Sequence, residues 1–399
     1  WQTSKALGPL KRRYENHQTR PIKHLIMANR SVIPSPDELR GILARFSLPG
    51  TLLTAERFGS GHINDTFVAT YDQAGTRVRY ILQRVNHHVF KNVPELMENI
   101  IRVTTHIESK NPPSESHRAP SLHKALDGLP YHQTPDGDFW RVCRFVEGAR
   151  TYDVVEHPRQ AYEAARAFGR FQQALADLPG GRLHETIPHF HDTPQRLENL
   201  RKAAEEDVAG RKHEVLAELE FAFSREPEVS RLLDLMAAGE IPERVTHNDT
   251  KLNNVMLDEK TGEGICVIDL DTVMPGLSLY DFGDLVRFAA NAATEDEADL
   301  TKVDVSLLIF EAIVEGYIAG AGDILTDAEW DNLVFACKLM TYEVGIRFLT
   351  DYLQGDIYFQ THHPGHNLER ARNQLCLVDR IEAADGALQA IVRRCRAAR

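Results

Sequence analysis

The stretch VTHNDTKLNN (residues 245–254), followed after a short turn by ICVIDLD (residues 265–271), decides the fold of this chain. The first part predicts a polar loop that leads into an apolar strand. The turn is signalled by Thr-Gly-Glu-Gly at residues 261–264, and a second apolar strand follows it. The sequence therefore predicts a β-hairpin with its polar residues at the mouths of the strands.

The spacing of this hairpin brings oxygen-bearing side chains to one edge. Asp249, Asn254 and Asp269 reach that edge, and their oxygens are ligands for a hard cation. Strand alternation predicts Asp271 on the same side as Asp269. The spacing His-x-Asp-x-x-x-x-Asn, with an Asp ending a later strand, is typical of phosphoryl transfer, where the first Asp faces the acceptor and the others hold Mg²⁺. The alternative is a polar hairpin whose acids are merely solvated.

These motifs resemble the catalytic and metal-binding loops of the aminoglycoside phosphotransferase and choline kinase superfamily. More narrowly, the chain resembles the N-acetylhexosamine 1-kinases from about Ser35 to its C-terminus. Three further stretches carry that resemblance: FGSGHIN (58–64), HFHDTP (189–194) and GDIYF (355–359). It implies an α+β, two-lobed protein-kinase-like fold, with a small antiparallel-sheet N-lobe and a larger, mainly helical C-lobe.

The resemblance also implies a reaction: transfer of phosphoryl from ATP, with Mg²⁺, to the anomeric C1 hydroxyl of an N-acetylhexosamine. Asp249 is then the catalytic base, which also contacts the substrate, and Asn254 and Asp269 hold the metal. Asp271 binds a second metal or a metal-bound water. The residues implied to bind the sugar are His62, Arg347 and Tyr358. For Arg347, a structural arginine within an apolar helix is the alternative.

A glycine pair between two N-terminal strands predicts a nucleotide loop. Gly59, Ser60 and Gly61 would let backbone N–H groups approach phosphates, although an ordinary glycine turn is the alternative. The resemblance places the adenine against backbone groups near residues 144–148, and therefore at Phe145, Val146 and Glu147.

The third strand lacks the lysine with which kinases usually bind phosphate. Gln83 stands at the expected position and supplies hydrogen bonds but no charge. Arg84 and Lys251 are the candidate cations, and a solvated surface charge is the alternative for each.

Three parts of the chain follow from these assignments. Residues 1–34 are expected to be an extension, disordered or non-native. Residues 35–147 are expected to form the N-lobe with the nucleotide loop and hinge. Residues 148–399 are expected to form the C-lobe with the catalytic, metal and sugar-binding residues.

Composition excludes several classes of partner. A formal net charge of −12 argues against nonspecific nucleic-acid binding and against an anionic membrane surface. No apolar run approaches the roughly 18 residues of a membrane span. The five cysteines are scattered and odd in number, which favours free thiols in a reducing cytoplasm. The expected partners are ATP and a small sugar, with no obligate protein partner.

Three other patterns have competing interpretations. Asp281, in an Asp-Phe-Gly triplet, is expected to cap a helix or brace the catalytic loop rather than bind metal. A zinc site is the weaker reading of His184, His189 and His191, which have no usual ligand spacing. The charged run over residues 198–222 is expected to be a solvated helical excursion.

Rival functions remain at this point. The acceptor could be an aminoglycoside, choline, homoserine or another sugar, but cationic acceptors call for acidic pockets, whereas the candidate residues are His, Arg and Tyr. A nucleotide-binding pseudokinase would be consistent with Gln83, and an intact set of catalytic residues argues against it. A purely structural or interaction protein is the third alternative.

Overall fold

The computed structural model describes residues 33–59, 63–110 and 120–399. The prediction for the N-terminal extension falls almost entirely outside these ranges, as do those for Ser60, Gly61 and His62. Pro34–Arg399 forms a single unit, to which everything below refers.

An antiparallel sheet forms the N-terminal region. Its order is β1-β2-β3-β6-β4, and the short β5 also pairs with β6. The strands are β1 (Thr51–Arg57), β2 (Asp65–Gln73), β3 (Thr76–Val85), β4 (Leu122–His123), β5 (His132–Gln133) and β6 (Phe139–Arg144). Asp-Gln-Ala-Gly at residues 72–75 predicts a hairpin turn between β2 and β3. The structure confirms it, with Ala74 and Gly75 both at positive φ, as a tight hairpin requires.

Two helices accompany this sheet. Ser-Pro-Asp-Glu at residues 35–38 predicts a helix start with a capping box, and helix α1 (Pro36–Leu43) begins with that box. Its buried leucines pack on the sheet core. Helix α2 (Val93–Lys110) buries the apolar face that its periodicity predicts.

Among the described residues, the central hairpin is accompanied by three further short strands. Together with the two strands of the hairpin, they are β7 (Ala149–Arg150), β8 (Arg244–Thr246), β9 (Val255–Asp258), β10 (Gly264–Val267) and β11 (Met274–Gly276). β9 and β10 form the predicted antiparallel hairpin, and β7 joins β9 on its other side. β8 pairs with β11, so the two ends of the catalytic segment are held side by side.

The rest of the chain is helical. The helices are α3 (Pro158–Leu175), α4 (Thr193–Glu206), α5 (Leu216–Ser224), α6 (Arg231–Ala237), α7 (Ser278–Ala289), α8 (Leu307–Ala321), α9 (Asp327–Asp331), α10 (Leu333–Leu353) and α11 (His366–Ala397). α3 and α8 approach closely because glycines face the contact: a Cβ on Gly316 would lie 2.1 Å from the carbonyl oxygen of Tyr162. α3 and α8 belong to a core that also includes α7 and the hairpin.

The prediction of a solvated excursion over residues 198–222 is wrong. α4 and α5 instead form a second apolar core with α10 and α11, in which Leu200 and Leu219 are buried. The charged residues of the run concealed apolar positions at helical spacing, and α10 is apolar around most of its circumference.

The cysteines and the long helices of the described residues bear on two of the expectations from composition. All five cysteines are free thiols. In the part of the chain described here, no helix is both long enough and apolar enough to cross a membrane.

Candidate active site

The catalytic loop, residues 246–254, leaves β8 and turns sharply before it enters β9. Asn248 takes a left-handed conformation with φ of 63°, which asparagine tolerates better than most residues. Its side-chain amide donates to the carbonyl of Thr272 at 2.9 Å, so the turn is tied to the segment after β10. The next residue, Asp249, keeps about a fifth of its side chain (22%) exposed.

Two buried carboxylates of α7 hold the main chain of this loop. The amides of His247 and Asn248 donate to Asp281 at 2.9 and 2.7 Å, and the amide of Thr250 donates to Asp284 at 2.9 Å. The bracing role predicted for Asp281 is confirmed. Asp281 thus supports the loop that carries Asp249.

His247 also has a structural role, in which its ring contacts the main chain. Its Nε2 lies 2.9 Å from the carbonyl oxygen of Ile268, the residue before Asp269. The ring therefore joins the catalytic loop to the segment that presents the second acid.

Asp269 and Asp271 do not follow strand alternation, because β10 ends at Val267. Asp269 has a left-handed φ of 60°, and residues 270–272 form a short 3₁₀ turn. As a result Asp269 faces open space, whereas Asp271 is buried. The prediction that one strand face presents both acids is wrong.

Asp249 is surrounded by donors. Lys251 lies 2.9 Å from one carboxylate oxygen, and the Asn254 amide donates to the other at 3.1 Å. Burial raises the pKa of Asp249, but the neighbouring Lys251 outweighs it and the net pKa lies below the ordinary value. Asp249 is therefore an ionised hydrogen-bond acceptor at neutral pH.

Asp269 has the opposite electrostatic situation. No hydrogen bond or ion pair joins its carboxylate to any of the described residues. Although the side chain is open to solvent, desolvation by the surrounding walls of the cleft, and then repulsion by Asp271 and Asp249, raises the pKa of Asp269 to about 6. Such a carboxylate gains from any cation that reaches it.

These donors fit a divalent metal. The Asn254 amide nitrogen donates to the backbone carbonyl and the carboxylate of Asp249, so its oxygen is left to accept or ligate. With the unpaired Asp269, this gives two hard oxygen donors, the type that Mg²⁺ prefers. Asp271 differs, since its oxygens accept hydrogen bonds from Asn64 at 2.6 Å and from Arg141. Binding of a second metal or a metal-bound water by Asp271 stays a prediction.

The predicted nucleotide residues lie along the N-terminal sheet. Gly59 has φ of 75° and is exposed, at the edge of the loop whose middle lies outside the described residues. Gln83 donates to Thr66 at 3.1 Å and accepts from Arg141 at 2.9 Å. The structure thus adds a cation that the sequence did not point to.

The predicted hinge connects β6 to β7. The Phe145 amide donates a hydrogen bond to the carbonyl oxygen of Arg79 at 3.2 Å, and the Glu147 carboxylate pairs with the Arg79 side chain. The Phe145 ring meets Phe58 edge-on, at 5.6 Å between ring centroids. The main-chain groups of Val146 make no hydrogen bond within the described part of the chain.

A cavity of about 300 Å³ contains two of the predicted acceptor residues, Arg347 and Tyr358. Arg347 lies over the rings of Phe190 and Phe359, at 5.3 and 5.7 Å. Tyr358 is 59% exposed. His62 lies outside the described residues.

One acid of this cavity is already occupied. Asp351 accepts from the amides of residues 357–359 at 2.8, 2.8 and 2.9 Å, and from Asn367 at 2.8 Å. Its role is to shape the segment that presents Tyr358.

His191 links the cavity to the catalytic loop. Its Nδ1 lies 2.8 Å from buried Glu343, and its Nε2 lies 3.3 Å from the carbonyl oxygen of Asn248. The ring of the preceding residue, Phe190, lies beneath Arg347. The backbone carbonyl oxygen of Phe190 accepts a hydrogen bond from Arg196 at 2.8 Å. One dipeptide therefore contacts both the cavity and the loop.

The three histidines considered for zinc have separate partners. His184 lies 3.2 Å from Glu98, and His189 lies 3.1 Å from Asp192, while His191 pairs with Glu343. Each is accounted for by its own carboxylate.

Sequence reasoning missed several residues of the site: Asn64, Arg141, Arg196, Asp284 and Glu343. One signal was available for Arg141, because a charged residue in the apolar stretch FWRVC of a central strand needs a buried partner. The partners themselves are far apart in sequence, so no local pattern could supply them.

Comparison with known proteins identifies the family and the fold of this chain. Residues 54–331 match the family described as "Phosphotransferase enzyme family". An aminoglycoside phosphotransferase from Alicyclobacillus acidocaldarius is 13% identical, with a TM-score of 0.61, over 92% of this chain and 99% of that one. An amicoumacin kinase solved with AMP-PNP, Ca²⁺ and its antibiotic is 14% identical, with a TM-score of 0.53, over 85% and 96%.

A third structure has a different acceptor. The ethanolamine kinase of Plasmodium vivax is 11% identical, with a TM-score of 0.52, over 90% of this chain and 96% of that one. These similarities confirm the predicted fold, with an antiparallel-sheet N-terminal region and a helical C-terminal region. Because the family match over residues 54–331 spans most of the chain, the protein belongs to the phosphotransferase enzyme family.

Proposed function

We propose that the chain transfers the γ-phosphoryl group of ATP to the anomeric C1 hydroxyl of an N-acetylhexosamine. The observation that carries this choice of acceptor is the charge of the cavity beside the catalytic loop. Two of the residues that line it, Arg347 and Tyr358, lie beyond residues 54–331, the region that matches the family.

The cavity suits a neutral acceptor better than a cationic one. Arg196, Lys202 and Arg347 line it, against Glu206 and Asp351. The Asp351 carboxylate is already occupied by backbone amides, so a positively charged acceptor would meet mostly like charge. An N-acetyl sugar has hydroxyl and carbonyl oxygens that can accept hydrogen bonds from arginine. The volume of the cavity lies at the lower end of the roughly 300–1,000 Å³ of small-molecule sites.

Asp249 orients the acceptor and receives its proton. The C1 oxygen forms the new bond to phosphorus while the bond to the bridging β,γ-oxygen breaks and ADP leaves. An anomeric hydroxyl is more acidic than an ordinary alcohol, so a carboxylate whose pKa is lowered by Lys251 still suffices. Positioning by Arg347, Tyr358 and His62 supplies a large part of the rate.

Asn254 and Asp269 are the residues that would hold Mg²⁺. When bound, the ion neutralises charge that develops on the phosphate oxygens. Without it, Asp269 repels the triphosphate, since no described side chain pairs with it.

The nucleotide is assigned to the N-terminal part. Residues 35–147 would contact the phosphates through Gly59, Ser60 and Gly61, and the adenine through backbone groups of Phe145, Val146 and Glu147. Residues 148–399 would supply the catalytic, metal and acceptor residues.

An ATP-to-ADP assay with Mg²⁺ tests the proposal. The acceptors are N-acetylglucosamine, N-acetylgalactosamine, glucose, galactose, kanamycin and choline, with phosphorus NMR of the product. We expect a C1 phosphate on an N-acetyl sugar. Turnover on kanamycin or choline alone would keep the catalytic residues and refute the assignment of the acceptor cavity.

A further inference from the structure

Among the described residues, three basic side chains are candidates to contact the phosphates, and each of them has a carboxylate partner. Arg84 bonds Asp65 on the neighbouring strand at 2.6 Å and lies 3.4 Å from Asp138. Lys251 pairs with Asp249. The third is Arg141 on β6, whose side chain is only 5% exposed and pairs with Asp271 through Nη1.

Arg141 is aimed by the sheet itself. Thr66, Gln83 and Arg141 stand opposite one another on β2, β3 and β6, so their side chains share one face of the sheet. Gln83 accepts from the Arg141 Nε at 2.9 Å. The glutamine at the usual lysine position therefore orients a cation from the next strand.

The other end of Arg141 reaches the metal-binding turn. Its Nη1 pairs with Asp271, which also accepts from Asn64 at the end of the nucleotide loop. Asp271 follows Asp269, the predicted metal ligand, by two residues. The guanidinium thus lies between the loop predicted to bind phosphates and the acid predicted to bind their metal.

Arg141 retains unused hydrogen-bonding capacity. Of the five N–H donors of a guanidinium, only those on Nε and Nη1 bond to described residues, and Nη2 bonds to none. A planar fork of donors with fixed orientation matches the geometry of phosphate oxygens.

We infer that Arg141, oriented by Gln83, is the cation that contacts the phosphates of the bound nucleotide, in place of a third-strand lysine. Asp271 positions it. The inference rests on the proposed function, because it requires a nucleotide in this cleft.

Binding of AMP-PNP and of adenosine to the full chain, each measured by calorimetry with Mg²⁺ and again with EDTA, tests this. We expect Arg141→Met to weaken AMP-PNP binding by at least about tenfold in both conditions and to change adenosine binding less than about threefold. The matched control is Arg84→Met, which removes another buried arginine of the same sheet and should leave the AMP-PNP-to-adenosine affinity ratio unchanged.

Two further variants guard against misfolding. Arg141→Met combined with Asp271→Asn removes both charges of the buried pair and should show the same selective loss of AMP-PNP binding. Adding Gln83→Lys to that double variant restores a cation on the third strand and should recover part of the affinity.

The outcomes separate the two hypotheses. If the wild type binds AMP-PNP and both Arg141 variants keep that affinity, the inference about Arg141 is overturned and the proposed function stands. An equal loss of adenosine binding would also overturn it, since the arginine would then serve the fold. A wild type that binds neither ligand would overturn the proposed function as well.

Discussion

The catalytic loop and the proposed acceptor cavity differ in how tightly their side chains are held. In the loop, main-chain amides donate to two buried carboxylates, Asp281 and Asp284. In the cavity, Arg347 rests on aromatic rings and Tyr358 is mostly exposed. Charged hydrogen bonds fix the main chain in both places, through Asp281 and Asp284 in the loop and through Asp351 in the cavity. The Arg347 and Tyr358 side chains, proposed to face the acceptor, are held by ring contacts or are exposed, which leaves them open to exchange. This difference is consistent with the unlike acceptors named for the structures that are similar to this chain.

The largest effect should come from the acid at the tip of the loop. Asp249→Asn should lower kcat by about 10³-fold, because the acceptor hydroxyl loses its proton acceptor, while AMP-PNP binding persists. Steady-state kinetics and calorimetry measure the two quantities. Asp258→Asn, at the other end of β9, should keep most of the activity. A near-normal rate for Asp249→Asn would refute the assigned role.

The support of the loop should appear as stability. Asp281→Ala leaves the amides of His247 and Asn248 without a partner and should lower the free energy of unfolding by about 3 kcal/mol in urea titrations. Asp385→Ala, which removes an exposed carboxylate of α11, should change it by less than about 0.5 kcal/mol. Equal losses in the two variants would show that the bracing bonds contribute little.

The cavity should show the reverse pattern. Arg347→Met should raise KM for the acceptor about tenfold, since one arginine contact is lost, and should leave the free energy of unfolding within about 1 kcal/mol. Kinetics with varied acceptor and a urea titration check both parts. A large loss of stability with unchanged KM would assign Arg347 to the core instead.

The smallest effect concerns Asp269 and pH. Desolvation and the neighbouring acids raise its pKa to about 6 in the folded chain, above its ordinary 3.8. The folded state therefore binds the proton more tightly, and stability falls as pH rises from about 4 to 6. In EDTA, Asp269→Asn should raise Tm by about 1–2 °C at pH 7.5, a small shift because water screens the cleft, with no gain near pH 4. A gain that is independent of pH would contradict this cause.

Local patterns predicted much of the fold. The capping box before α1, the tight turn between β2 and β3, and the hairpin of β9 and β10 depend on residues a few positions apart. The role of Asp281 was predicted correctly, because a buried Asp soon after the strand that carries the predicted metal ligand needs backbone donors. Prediction failed at residues 198–222, where a charged surface concealed an apolar face, and at Asp271, where the chain left the strand early.

The sequence by itself determined the kind of chemistry, since the spacing of Asp249, Asn254 and Asp269 along a hairpin is a local property. Only the tertiary structure decided which cation accompanies them. Arg141 lies 130 positions from Asp271 and meets Gln83 through strand pairing, so its place depends on the register of the sheet. The acceptor cavity likewise needs α4 and α10 packed together. Hydrophobic burial of whole helix and sheet faces sets such contacts, and no short motif encodes them.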